Sequence, residues 1–193
     1  VTVVFTDSAG ATVSTTGTVS SNAYTATAAN ISGLTEGNIA ITANVSDAAG
    51  NAATQATKTI SFDKTAPTGL TIAGTLEVDN IVNGTEDDTV VVSGTTTGIE
   101  DGQTVTVVLT DSAGATVSTT GTVSSNAYTA TAADITNLTE GNIAITANAT
   151  DAAGNAASQA SKTISFDKTA SVTIATTLEV DNIVNGTEDD TVV

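Results

Sequence analysis

The chain has 193 residues and a formal charge of −17, from 21 acidic residues against four lysines and no arginine. Nothing is present to neutralise phosphates, which excludes a nucleic-acid partner and direct contact with an anionic membrane. Cysteine, histidine, methionine and tryptophan are absent, which removes disulfides, structural zinc, haem, iron–sulfur clusters and Ser-His or Cys-His catalysis.

Thr, Ala, Val, Ser and Gly dominate, and aromatics are only 3% of residues. Thr and Val favour strands, so the composition predicts an all-β fold. Residues 1–66 recur at 105–170 with no gap and eight differences, all mild. LEVDNIVNGTEDD at Leu76–Asp88 returns letter for letter at Leu178–Asp190. The offset is 104 residues before the second FDKTA and 102 after it, where SVTI replaces PTGLTI and the only proline is lost. A period of about 100 residues suits an array of domains, not a solenoid. Placing the boundary after FDK gives 1–64 as the C-terminal part of one module, 65–168 as a complete module and 169–193 as the N-terminal part of the next. The chain then reads as a window of a longer array, or as molecules that complete one another's modules.

Within the complete module, alternation predicts seven strands. Gly69–Gly74 offers Leu70 and Ile72 to one face, and Thr89–Ser93 offers Val90 and Val92. Thr104–Thr110 alternates Val105, Val107 and Leu109 inward, and Ala115–Thr122 follows around Val117. Ala127–Ala133 buries Tyr128 and Ala130, as Tyr24 is expected to be buried in its copy. Asp134–Leu138 reads as one short helical turn with Ile135 and Leu138 as apolar plugs. Asn142–Asn148 buries Ile143, Ile145 and Ala147, and Ser161–Phe166 buries Ile164 and Phe166. DSAG at 111–114 and DAAGN at 151–155 are turn chemistry. Seven short strands in about 100 residues predict tandem immunoglobulin-like β-sandwich modules. Their cores are small, so a further stabiliser is useful.

Up-and-down tracing gathers the loops at two ends. One end holds the 75–88 loop, the 111–114 turn, the 134–141 crossover and Asp167. The other holds the 96–103 loop, the 123–126 hairpin and the 151–155 turn beside Asp63. Carboxylates collected there are hard oxygen ligands, and Ca2+ takes six to eight of these at ~2.3–2.6 Å. The candidate metal ligands are Asp63, Glu100, Asp101 and Asp151 at the first junction, with Asn155 beside them. Glu77, Asp79, Glu86, Asp87 and Asp88 lie in the long loop, whose copy contains Asp181; Asp47 and Asp167 complete the set. The long loop is not an EF-hand, because Ile81 and Val90 fall where ligands three and twelve belong. The plain alternatives are a solvated acidic loop, Asp-Gly turns, and ion pairs of Lys64 and Lys168. Asn44-Val-Ser and Asn83-Gly-Thr match the glycosylation pattern by chance in a Thr-rich chain. The hydroxyls have no base beside them, and no aromatic platform exists to hold a sugar, so no enzyme is expected.

DxAGN (Asp47–Asn51 and Asp151–Asn155), FDKTAP (Phe62–Pro67), xVDNIVN (Val78–Asn83) and GIEDGQTVTV (Gly98–Val107) together resemble the bacterial immunoglobulin-like extender repeats of giant RTX adhesins. The 104-residue period matches those of the large ice-binding kind. The resemblance covers the whole chain. It implies type I secretion, an extracellular cell-surface stalk tethered to the outer membrane, and Ca2+ at the linkers. The implied partners are neighbouring repeats of the same chain, with no small-molecule substrate. The family's distal ligand-binding domains and glycine-rich calcium repeats are not in this sequence. Ser171 in place of Pro67 departs from the DKTAP pattern. The alternative reading is a carbohydrate- or protein-binding module, which requires an exposed aromatic or apolar patch.

Overall fold

The computed structural model describes residues 1–174, and every regular element in it is a strand. β1 (Thr2–Thr6), β2 (Thr12–Ser20), β3 (Ala23–Ala26), β4 (Gly37–Asn44) and β5 (Ala56–Phe62) form a sheet in the order β3-β2-β1-β4-β5. Eight further strands follow: β6 (Gly69–Leu70), β7 (Ile81–Val82), β8 (Ser93–Thr97), β9 (Thr104–Thr110), β10 (Thr116–Thr122), β11 (Ala127–Thr129), β12 (Gly141–Asn148) and β13 (Ala160–Phe166). They make two sheets, β10-β9-β12-β13-β7 and β11-β8-β6. The immunoglobulin-like sandwich encloses one core cluster running from Leu76 to Phe166.

The alternation of β9 does what its pattern requires. Val105, Val107 and Leu109 are fully buried, while Thr104 and Thr106 face water. Ile145 and Ala147 on β12 stand opposite Leu109 and Val107 in the antiparallel ladder, and Ile143 on the same strand is also fully buried. The Tyr128 hydroxyl donates to the Thr71 carbonyl at 3.0 Å.

Three expectations are corrected. Thr89–Ser93 is not a strand: Val90 and Val92 are buried as expected, but Val90 makes a single bridge to Ala133 and the strand starts at Ser93. Asp134–Leu138 is not a helical turn. The Leu138 N–H donates to the Ile135 carbonyl in one tight turn, and both side chains still plug the core. β7 lies inside the stretch read as a loop, because Ile81–Val82 pairs in parallel with Ser165–Phe166 at the sheet edge.

Equivalent residues of the first sheet and the sandwich differ in cover. Tyr128 is 3% exposed and Tyr24 45%; Val123 is 1% exposed and Val19 51%. The expectation that Tyr24 is buried therefore fails, because among the described residues nothing stands over it as β6 and β8 stand over Tyr128.

Burial pushes the Tyr128 hydroxyl up to about 12 from its ordinary value of 10.0. Below the unfolded value the neutral phenol contributes its full stability. Between pH 10 and 12 the unfolded chain ionises first and stability falls, by up to about 1.4 kcal/mol per pH unit. Tyr128→Phe is expected to lack that component, which denaturant titrations at stepped pH will read.

Candidate metal and linker sites at the module ends

The two ends form as the loop sorting requires. At the first junction the Glu100 carboxylate accepts from the Ala152 N–H at 2.8 Å. The Asn155 side-chain amide donates to the Asp63 carbonyl at 3.4 Å. Ser61, Asp63, Glu100, Ala152 and Ala153 line a cleft of about 320 Å³ between the first sheet and the sandwich. Asp101 points to a neighbouring turn instead, accepting from the Ser125 N–H at 2.8 Å.

Asp151 is in place but its carboxylate is occupied. It is 3% exposed, and its two oxygens accept from the Asn155 N–H at 2.8 Å and the Asn155 side-chain amide at 2.9 Å. Burial works most strongly against its charge, and the bonds from Asn155, Ala153 and Gly154 together outweigh it and hold its pKa below the ordinary value. Asp47 makes the same ring with Asn51, and the Asn51 side-chain bond leads in holding its pKa down. DAAGN is thus a self-satisfied Asx turn at both positions.

The long acidic loop solves its charge problem locally. Glu77 accepts from the Val91 N–H at 2.7 Å, Asp79 from the Ile81 N–H at 2.9 Å and Glu86 from the Asn83 N–H at 3.1 Å. Asp88 faces the Thr89 hydroxyl at 3.3 Å. Asp87 is buried, and its carbonyl takes the Ile135 N–H at 2.6 Å. Three of the carboxylates are drawn to different backbone N–H groups and Asp88 to a hydroxyl, so the five do not share a point. The turn is tight enough to hold Glu77, Val78 and Asn80 at positive φ, with Val78 94% exposed. Asp167 is exposed beside β7, its N–H donating to the Val82 carbonyl at 2.9 Å. Asp181 lies outside the described residues. Among the described residues no three acidic side chains come together tightly enough to hold an ion.

Four acids outside the expected set fasten the loops and linkers. Asp111 is buried; one oxygen accepts from the Ala113 and Ala115 N–H groups, the other from the Thr139 N–H at 2.8 Å. The Thr139 bond leads in depressing its pKa. Asp7 repeats this with Ala9, Ala11 and Thr35. Glu36 accepts from the Lys64 N–H at 2.7 Å and the Thr65 hydroxyl at 2.7 Å. Glu140 holds Lys168 and Thr169 in the same way. The lysine ammonium groups turn back onto carbonyls: Lys64 to Ser32 and Leu34, Lys168 to Thr136. Each also stands over a phenylalanine, 5.5 Å from Phe62 and 5.4 Å from Phe166, where the plain alternative was an ion pair. The first residues of both linkers are thus fastened to the module they leave.

No family model and no curated protein matches the chain. A solved structure described as the tetra-tandem repeat in the extending region of a large adhesion protein is 34% identical, over 86% of this chain. The chain is similar to the extender repeats of adhesion proteins. It spans 41% of that structure's length, with a TM-score of 0.48. The BSP domain of a biofilm-associated protein also matches, at 21% identity over 89% of this chain and 25% of its own, with a TM-score of 0.28.

Proposed function

We propose that these extender-like repeats are a spacer: tandem sandwiches form an extracellular stalk that holds a distal adhesive domain away from a bacterial cell surface. Ca2+ at the module ends and linkers stiffens the stalk. The observation that carries this is the junction itself, where the Asp63 linker meets Glu100 and Asn155 of the following sandwich across a cleft. The donor chemistry there is hard oxygen, which suits Ca2+. Asp63 and Glu100 are the residues that would hold it, with water completing the six to eight ligands the ion prefers. The ion would offset the repulsion of the paired acids and turn its binding energy into docking energy. The Glu36 clamp acts on the same linker from the other side and needs no ion.

The test is small-angle scattering of the chain with Ca2+ and then with chelator. The maximum dimension and melting temperature are expected to fall on chelation, and Asp63→Asn with Glu100→Gln to abolish the change. An unchanged dimension and melting temperature would sink the calcium reading.

One observation favours a carbohydrate- or protein-binding module instead, namely the exposed Val19, Tyr24 and Val45. Their equivalents in the sandwich are covered by its own chain, so the patch is the open interior of a module. Specific capture on a glycan array would reverse that preference.

A further inference from the structure

The chain has four lysines and no arginine. A protease that cuts after basic residues therefore meets only four bonds. Lys58 and Lys162 lie inside β5 and β13, paired with Ile41 and Ile145. Lys64 and Lys168 lie in the linkers, where nicking of folded chains concentrates. Both linker lysines are at the surface, so burial does not withhold them. Bonding does.

At Lys168 the groups such a protease must engage are already held. The Lys168 N–H donates to Glu140 Oε1 at 3.0 Å, and the Thr169 hydroxyl donates to Oε2 at 3.0 Å. One carboxylate thus bridges the two residues on either side of the bond to be cut. The Lys168 ammonium donates to the Thr136 carbonyl at 2.7 Å and stands over the Phe166 ring. The turn after β7 packs against the same residue. A methyl group at Gly84 would lie 3.2 Å from both the Lys168 β-carbon and the Lys168 carbonyl oxygen. Just upstream, the Asp167 N–H donates to the Val82 carbonyl. Lys64 shows the same bridge: Glu36 accepts from its N–H and from the Thr65 hydroxyl, and its ammonium turns back to Ser32 and Leu34.

A serine protease of trypsin specificity takes the lysine side chain into a pocket that ends in a carboxylate, and its serine attacks the lysine carbonyl. In the fastened linker the ammonium is folded back onto the module, and the Gly84 turn stands against that carbonyl. Cleavage has to wait for the linker to open, so its rate follows the open population. We infer that Glu140, and Glu36 in its copy, is the positioning residue of a latch that shuts the linker to proteases cutting after lysine. In a tandem array a single cut at a linker severs everything beyond it. The latch is built from the chain alone and depends on neither calcium nor the spacer reading.

Limited trypsin digestion of the 193-residue chain in chelator, with each cleaved bond identified by mass spectrometry, tests this. The Lys168–Thr169 bond is expected to be cut at least about tenfold more slowly than in a free peptide of residues 163–174, which carries the same neighbours. Glu140→Ala removes two bonds to a charged acceptor and is expected to raise the rate about tenfold. Glu140→Gln keeps one acceptor oxygen and is expected to raise it less. Cleavage after Lys162, earlier in β13, is expected to stay as it was. The chelator separates this from the scattering test of Asp63 and Glu100, since either can fail while the other stands. Equal rates in protein and peptide overturn the latch, as does a Glu140→Ala protein cut no faster than the parent. A parallel rise after Lys162 overturns it too, because the substitution would then act by unfolding the sandwich.

Discussion

Phe166→Ala is expected to cost the sandwich about 3–5 kcal/mol, the range for deleting a fully buried aromatic ring. Phe62→Ala, the identical change at the equivalent position, is expected to cost roughly 1 kcal/mol, as for a substitution outside a closed core. The contrast follows from cover alone. Phe166 is 1% exposed, with β7 paired beside it, and Phe62 is half-buried at an open edge. Both rings carry a lysine at nearly the same distance, so the cation–π loss cancels in the comparison. Native-state hydrogen exchange in dilute solution reads the two regions separately, through the amides of β12 and of β4. Equal losses at the two positions would mean that the first sheet is closed by something else.

The same comparison shows what the sequence reveals. β9, β12 and β13 are legible because inward Val, Leu, Ile and Phe alternate with Thr, Ser and Lys, a pattern strand geometry alone explains; β10 is fainter, with Val117 its one inward apolar side chain. β8 is not, since Ser93–Thr97 contains one buried side chain, Thr96, and no apolar alternation. β7 is two residues long and sits between acids and an Asn-Gly turn, so local composition spoke for a loop.

The acids divide in the same way. That module ends would collect them was legible from strand direction. Which of them would share a point was not, because Glu77, Asp79 and Glu86 are each drawn off by a nearby N–H group. Asp111 and Glu140 were missed for the opposite reason. Their decisive partners, Thr139 and Lys168, stand 28 residues away, beyond any local spacing rule. The repeat held one usable signal: both acids recur, as Asp7 and Glu36, with the same partners. Acid is expected to loosen these fastenings. Asp7, Glu36 and Asp111 have depressed pKa values, so their contribution is present above the ordinary carboxylate range and is lost as pH falls through the depressed values.

Gly94→Ala is expected to destabilise the sandwich by about 3 kcal/mol, the upper end for forcing extra volume into a packed site. The reason lies in how β8 is held. Its backbone passes so close to the segment just after β6 that a methyl group at Gly94 would overlap the Thr71 carbonyl and lie 2.8 Å from the Tyr128 ring. The Thr71 carbonyl accepts the Tyr128 hydroxyl bond, and the Thr71 N–H donates to the Thr95 carbonyl at 3.0 Å. Moving β8 aside to admit the methyl breaks both bonds and uncovers the tyrosine. Gly74→Ala supplies the control, since a methyl there meets nothing within 4 Å and is expected to change stability by no more than about 0.5 kcal/mol. Denaturant unfolding gives the energies, and faster exchange at the Thr71 amide in Gly94→Ala locates the break. A Gly94→Ala protein as stable as Gly74→Ala would show that β8 does not cover Tyr128, and with it that the open face around Tyr24 is not an unfinished copy of the sandwich.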